Sequence, residues 1–385
     1  MESTERTRKF TADLTLLPDG MLHSGVTVAV NQEGIVVGIG YDELETGRKL
    51  NGILTPGFIN SHCHLELSYL KERINSGTGL PQFIHDIIEI RKSVNRSAVD
   101  AILDADLQMW LNGIQAVGDI CNSSDGMDCK SKSKIKYHNL VEVFGLSSNQ
   151  ATERMNAARS LFEKSRSLNM RASVVPHAPY TVTQNLFQGI AAAYDGDSGI
   201  WSIHHCESLS EKEFVKNGSG PFRNMFVNSG LIGESFDGYG MSVTKFIASH
   251  FPESGKILLV HNTYMDRDDV LFLKGTGRFD DIYFCLCPNA NLYIEGRLPD
   301  IPMMIAEGCK LVLGTDSLAS NHSLSIYDEI GTIRAVFPEL PLHSLLQWAT
   351  ANAASLFGWT ELGQIAMGKS PGWVFISGNQ ISRLV

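Results

Sequence analysis

The chain has 385 residues, more than one compact hydrophobic core usually organises, which points to one large domain and a smaller one. Hydrophobic residues make up 43% and charged residues 19%, an ordinary globular composition, and no apolar run approaches the roughly 18 residues of a membrane span. A formal charge of -10 repels phosphate backbones, so neither nucleic acid nor membrane is an expected partner.

The start, "MESTERTRKF", is polar with no apolar stretch behind it and reads as no secretory signal. Seven scattered cysteines suit a reducing compartment, so the expected location is cytoplasmic. The segments "DLTLLPDG" and "GVTVAVNQEGIVVGIG" alternate Val and Ile with turn residues and predict short antiparallel strands; "GWVFISG" near the far end predicts another.

From Ile53 onward eight apolar, β-rich runs recur: "ILTPGFINS", "GIQAVGDIC", "NLVEVFG", "ASVVPHAP", "IWSIHHCE", "ILLVHNT", "IYFCLCPN" and "KLVLGTDS". They are nearly continuous in hydrophobicity, as parallel strands buried on both faces are. Helical stretches separate them. In "LPQFIHDIIEI", Leu80, Phe83, Ile84, Ile87 and Ile88 fall at helical spacing behind Pro81, and "HSLLQWATANAASLFG" stops at Gly358, a natural C-terminal cap. The expectation is an α/β fold: a (β/α)8 TIM barrel over 55–362, with a small β-sandwich domain built from 1–54 and 363–385. The basic stretch "CKSKSKIKYH" reads as a solvated loop. The connection over 208–256 is too long for a plain loop and is expected to hold helices and a lid over the site.

Polar residues fall at one end of the apolar runs. The first run leads into His62 and His64, the fourth into His177, the fifth into His204, His205 and Glu207, the sixth into His261 and the eighth into Asp316. In a barrel these are the C-terminal strand ends, where catalytic groups converge. Alternation puts His62 and His64 on one side of their strand, with Cys63 pointing away. Singly, each position has a plainer reading: His177 as a hydrogen-bonded structural residue, Asp316 as a helix cap. Five ligand-type positions at the same end of five strands outweigh those readings. Three imidazoles and one carboxylate suit a single divalent ion, zinc first, with iron and manganese compatible with the same donors.

The motifs "TPGFINSHCHLE", "PHAPYT", "HHCES", "LVHNTYM", "CPNANLYIEG" and "GTDSLASNHSLSIYDEI" resemble the amidohydrolase superfamily. Within it they resemble the single-metal deaminases and chlorohydrolases acting on nitrogen heterocycles. The resemblance implies His62, His64, His204 and Asp316 as ligands of one metal and leaves His205 without a role. The fourth run carries no lysine to bridge two metals, in keeping with the single-metal branch. "GKSPGWVFIS" departs from the family's usual C-terminal wording, but only in the small domain. His64-Leu65-Glu66 superficially satisfies the H-x-E of cytidine-type zinc deaminases, but their P-C-x-x-C is missing, Cys287-Pro288 being in the opposite order.

The expected reaction is hydrolytic deamination. A divalent ion lowers the pKa of water, Asp316 takes a proton, His261 orients the nucleophile, and Glu207 protonates a ring nitrogen. His177 is expected against the substrate, with Glu66, Ser68, Ser320 and Asn321 lining the same mouth. The wording "HxHLELS" and "TDSLASNxSLSxxDE" resembles aminodeoxyfutalosine deaminases and implies a small-molecule substrate, a 6-aminopurine nucleoside. A homodimer is implied by the resemblance alone. The competing readings are chlorohydrolase or cyclic-amide hydrolase chemistry on the same metal site, and a non-catalytic binding relative, which would typically have lost ligands.

Overall fold

A computed structural model describes residues 7–41, 47–93, 99–193, 199–232 and 236–384. Fifteen strands occur among them: β1 (Arg8–Leu16), β2 (Leu22–His23), β3 (Thr27–Val30), β4 (Val36–Gly40), β5 (Arg48–Pro56), β6 (Phe58–Cys63), β7 (Ile114–Cys121), β8 (Lys136–Val143), β9 (Arg171–Pro176), β10 (Ile200–His205), β11 (Lys256–His261), β12 (Ile282–Leu286), β13 (Lys310–Leu313), β14 (Trp373–Ser377) and β15 (Gln380–Arg383). The strands of both chain ends lie in one seven-stranded sheet, ordered β15-β14-β5-β1-β3-β4 with β2 paired to β1. The apolar stretch at 53–63 is split at Gly57. Residues up to Pro56 pair with β1 and β14, whereas Phe58 onward pairs with β7. A side chain at Gly57 would meet the Gln115 Cβ and the Pro371 carbonyl, so only glycine lets the chain pass between the two sheets here.

The other strands form two four-stranded parallel sheets, β6-β7-β8-β9 and β10-β11-β12-β13, with helices between successive strands. Two seams join them. The His204 N–H donates to the His177 carbonyl at 3.0 Å, and Cys63 forms a parallel bridge with Asp316. Strand alternation divides the core in two. Val141, Trp201, Ile203, Ile257, Leu259, Phe284 and Leu311 belong to one cluster, shared with helical side chains. Leu140, Ile200, Leu258, Val260, Cys285 and Val312 belong to a second, on the opposite face.

Both helices anticipated above are present. Leu80–Ser93 is helical, and the later helix runs Leu342–Gln347, passes through a π-helical stretch at Trp348–Asn352 and ends at Phe357, with Gly358 left-handed as its cap. The connection after Glu207 holds helices Leu209–Asn217, Gly220–Asn228 and Val243–Ala248. No helix among the described residues is long and apolar enough to cross a membrane.

The basic stretch is not a solvated loop throughout. Lys130 is buried, and its Nζ donates to Asp119 Oδ2 at 2.8 Å and Asn139 Oδ1 at 2.6 Å. Asp119 Oδ1 accepts the Leu65 N–H at 2.9 Å, so this pair anchors the turn that follows His64. The charge patterning of the sequence hides the pair, because Asp119 lies inside an apolar run. Replacing Lys130 by Met leaves a buried carboxylate uncompensated and is expected to lower stability by about 3 kcal/mol, read from urea unfolding.

Candidate metal and catalytic site

The imidazoles converge where the two sheets meet. His62 and His64 bring their Nε2 atoms within 3.1 Å of each other, and Asp316 Oδ1 lies 3.7 Å from His62 Nε2 and 3.4 Å from His64 Nε2. The donor atoms of His62, His64 and His204 lie within 4.8 Å of one another, as do those of His62, His261 and Asp316. Backbone irregularity aims them. The β6–β7 register shifts between Asn60 and Cys63, so Ile59 and His62, an odd number apart, both reach the inner side. Cys63 is buried in the outer cluster, away from the pair. Four residues with positive φ stand at the strand ends beside the site: Cys206 (48°), His261 (74°), Asn262 (58°) and Asp316 (56°). Gly314 allows the closest approach, because a Cβ there would meet the His62 carbonyl and the Cys285 sulfur.

Electrostatics leave these groups as electron-pair donors. Burial, then the neighbouring imidazoles, pushes His204 well below its usual pKa; burial takes His64 to about 4 and His177 to about 3. Burial works to raise the Asp316 carboxyl, but the His62 hydrogen bond and the charges of His64 and His261 outweigh it and hold it well below the usual carboxylate range. A neutral imidazole whose Nδ1–H is committed presents Nε2 as a ligand. His204 meets that condition, with Nδ1 donating to the His177 carbonyl at 2.7 Å. Two ligands about 2.0–2.1 Å from a tetrahedral zinc stand roughly 3.3 Å apart, close to the His62–His64 spacing. The donor set therefore fits a divalent ion held by His62, His64, His204 and Asp316.

Glu207 and His261 face each other beside these donors, with His261 Nε2 3.4 Å from Glu207 Oε1. His261 Nδ1 is fixed by Asn291 Oδ1 at 2.9 Å. Burial, then the Asp316 charge, pushes the Glu207 carboxyl well above its ordinary range. Its backbone is held by Glu211, whose Oε2 accepts the Glu207 N–H at 2.6 Å and which also forms a capping box with Ser208. A cavity of about 290 Å³ opens over His64, His177, His204, Glu207, His261 and Asp316. Phe83, Ile84, Ile87, Tyr180, Phe226 and Leu231 give it a largely apolar lining, with Arg91 and Arg154 also on its wall.

Residues 53–384 match the profile of the amidohydrolase family. The chain belongs to the amidohydrolase family. It is 25% identical over 286 residues to an adenosine deaminase of Helicobacter pylori, covering 73% of this chain and 67% of that one. It is 26% identical over 369 residues to an aminodeoxyfutalosine deaminase of Deinococcus radiodurans, covering 89% and 85%. Among solved structures, the aminofutalosine deaminase of H. pylori in complex with methylthio-coformycin superposes with a TM-score of 0.84 at 23% identity, over 97% of this chain and 93% of that one. The zinc-complexed atrazine chlorohydrolase of Arthrobacter aurescens superposes with a TM-score of 0.72 at 16% identity, over 95% and 86%. The fold of this amidohydrolase is accordingly α/β and TIM-barrel-like.

Not every residue expected at the mouth lines it. Glu66 does, although both its oxygens already accept backbone N–H groups, from Asn122 at 3.1 Å and Ser123 at 2.9 Å. Ser68 does not; its hydroxyl donates to the Leu65 carbonyl, and it borders a separate hollow with Lys71 and His322. Ser320 lies outside the cavity wall and donates to Asp316 Oδ2, steadying that carboxylate. Asn321 lies outside it too, its amide spanning the Thr315 carbonyl and Glu329 Oε1. Short polar side chains just past a strand end are claimed by the turn itself. His205 is structural, bonded to Asn262 Oδ1 at 2.8 Å and Thr244 Oγ1 at 2.9 Å.

Asn122 and Glu142 also line the cavity, and neither is expected there from the sequence. Glu142, in the run "NLVEVFG", is buried on β8, with Oε1 3.8 Å from His204 Nδ1; burial pushes its carboxyl up to about 8. An acid breaking an apolar run was the available signal.

Removing a donor should empty this amidohydrolase of metal. His62→Ala is expected to bind less than stoichiometric zinc by elemental analysis and to lose activity, while the far-ultraviolet circular dichroism stays that of the parent. Retention of one tightly held ion would exclude His62 as a ligand.

Proposed function

We propose that the chain is a metal-dependent hydrolytic deaminase of a 6-aminopurine nucleoside, of adenosine or aminodeoxyfutalosine type, acting at the strand ends of a closed eight-stranded barrel. Backbone hydrogen bonds at both seams support closure, and the single seven-stranded sheet supports a small accessory domain from residues 1–54 and 363–385. The observation that carries the reaction is the contrast between two acids in one cavity. Imidazoles around Asp316 hold its carboxyl well below the usual carboxylate range, while burial and the Asp316 charge push the Glu207 carboxyl well above it. Two acids driven apart in pKa divide base and acid roles.

Zinc or a similar ion at His62, His64, His204 and Asp316 would supply Lewis acidity that acidifies water. Asp316 is placed to accept the proton that water loses as its oxygen bonds to the ring carbon bearing the amine. Glu207 gives its proton to the adjacent ring nitrogen, which takes up the electron pair of the opened C=N bond. The proton on Asp316 then passes to the amine, the C–N bond breaks and ammonia leaves; the added oxygen gives its remaining proton to the Glu207 carboxylate as the carbonyl forms, and the ring nitrogen keeps the proton it received. His261, fixed through Asn291, orients the attacking oxygen, and His177 lies along the cavity wall where the purine ring is expected. The names of the relatives at 25% and 26% identity support the adenine-type substrate.

Zinc-loaded protein incubated with adenosine, 5′-methylthioadenosine and aminodeoxyfutalosine is expected to release ammonia and shift the purine absorbance toward the 6-oxo product. Silence across all three, with the metal bound, would discard the nucleoside reading. Glu207→Gln is expected to lower kcat roughly 10²- to 10⁴-fold with metal content unchanged. An equal fall in metal content would instead make Glu207 part of the ion's site.

A further inference from the structure

The cavity holds two buried acceptor atoms that the reaction above does not use. Glu142 Oε1 has no hydrogen-bond partner, and neither does Asn122 Oδ1. The Glu142 side chain is only 4% exposed. Its other oxygen, Oε2, accepts from Asn122 Nδ2 at 3.2 Å, so the two side chains form one unit. The unit is held from behind, because Glu66 grips the backbone N–H groups of Asn122 and Ser123. The nitrogen 3.8 Å from Oε1, His204 Nδ1, already has its proton on the His177 carbonyl at 2.7 Å. Buried acceptors without partners are rare and ask for a donor from outside the chain.

We propose that Glu142 and Asn122 form the hydroxyl-recognising wall of the substrate cavity, accepting hydrogen bonds from the sugar hydroxyls of a ribonucleoside. The inference rests on the nucleoside reading and adds to it which part of the substrate is selected. In a 6-aminopurine nucleoside the base offers its exocyclic amine as the one donor, and that amine is the group being displaced. The remaining donors are the sugar hydroxyls, and a vicinal pair of them matches two adjacent acceptors. An acidic side chain meeting ribose hydroxyls is the same chemistry that dinucleotide sites use. Glu142 is a specificity-determining residue in this scheme, one side chain removed from the ligand His204. The rival occupant is a second cation, since donor atoms of Glu142, His177 and His204 lie within 4.8 Å of one another.

The test compares adenosine, 2′-deoxyadenosine and 3′-deoxyadenosine on the zinc-loaded full chain, wild type and Glu142→Ala, by kcat/KM and by thermal shift. The wild type is expected to favour adenosine roughly 10- to 100-fold over at least one deoxy analogue, the range for leaving a buried acceptor without its partner. In Glu142→Ala that ratio falls to near unity, and Glu142→Gln, which keeps an acceptor, recovers part of it. Equal losses on all three nucleosides would show a merely structural role and overturn the proposal. So would a wild type indifferent to both hydroxyls, or two ions per chain dropping to one in Glu142→Ala. If none of these three analogues releases ammonia, adenosine is not the substrate, and the deaminase reading is decided by 5′-methylthioadenosine and aminodeoxyfutalosine. The wall is then judged by the thermal shifts: a hydroxyl-dependent shift abolished in Glu142→Ala sustains it, and no such shift overturns it.

Discussion

The site depends on how closely β13 approaches β6. The Thr315 and Asp316 N–H groups both donate to the His62 carbonyl, at 3.0 and 3.1 Å, and Gly314 has no side chain to hold the strands apart. Through those bonds the backbone that carries Asp316 is fixed to the backbone that carries His62. The carboxylate is thereby set among imidazoles before any ligand arrives. Asn60 reinforces the seam from both sides, since its Nδ2 donates to Thr315 Oγ1 at 2.7 Å and its Oδ1 accepts the Thr315 N–H at 3.1 Å. Preorganisation of this kind is what a ligand set requires, because misplacement by an ångström weakens every donor together.

The same approach concentrates acids in a dry place. Glu142, Glu207 and Asp316 are all buried at one cavity, and Glu66 stands at its edge. Burial raises the carboxyls of Glu66, Glu142 and Glu207; Asp316 alone of the four is held low. The order follows from partners. Asp316 has imidazoles around it, Glu66 has two backbone N–H groups, Glu142 has one amide, and Glu207 has Asp316 as a nearby like charge. Asp316 is thus the one acid of the four held firmly as a carboxylate, and its charge offsets part of that of a divalent ion.

Much of this was legible in the sequence, and the reasons are particular. Parallel strands buried on both faces write themselves as long apolar runs, and each of the clustered polar groups sits where such a run ends. His62, His64, His204, His261 and Asp316 could therefore be located by their position in a pattern. What stayed hidden was whatever the pattern does not encode. Glu142 lies inside its run, so period and composition treat it as an interruption. The division at Gly57 is invisible because both sides of it are β-rich. Lys130 looked solvated because its partner, Asp119, is eleven residues away in an apolar strand. Ser68 and Asn321 were assigned by proximity along the chain, and the turns claimed their hydrogen bonds first.

The donor cluster and the apolar lining occupy different parts of this cavity. The clustered imidazoles, Asp316 and Glu207 sit at strand ends tied together by backbone bonds, with strained φ values that a rigid frame must hold. The apolar walls come from side chains such as Phe83 and Ile87 on the helix Leu80–Ser93 and Phe226 on Gly220–Asn228, elements that can shift or exchange residues without touching the seam. A frame of that kind tolerates wide divergence. The superposition on a chlorohydrolase at 16% identity, with a TM-score of 0.72, is the result expected if the strands are kept and the walls change. Glu142 stands between the two regions, on a strand like the donors but facing the space a substrate must fill. It is therefore the position where a change of one side chain can alter which molecule is accepted while the donors of the reacting centre stay where they are.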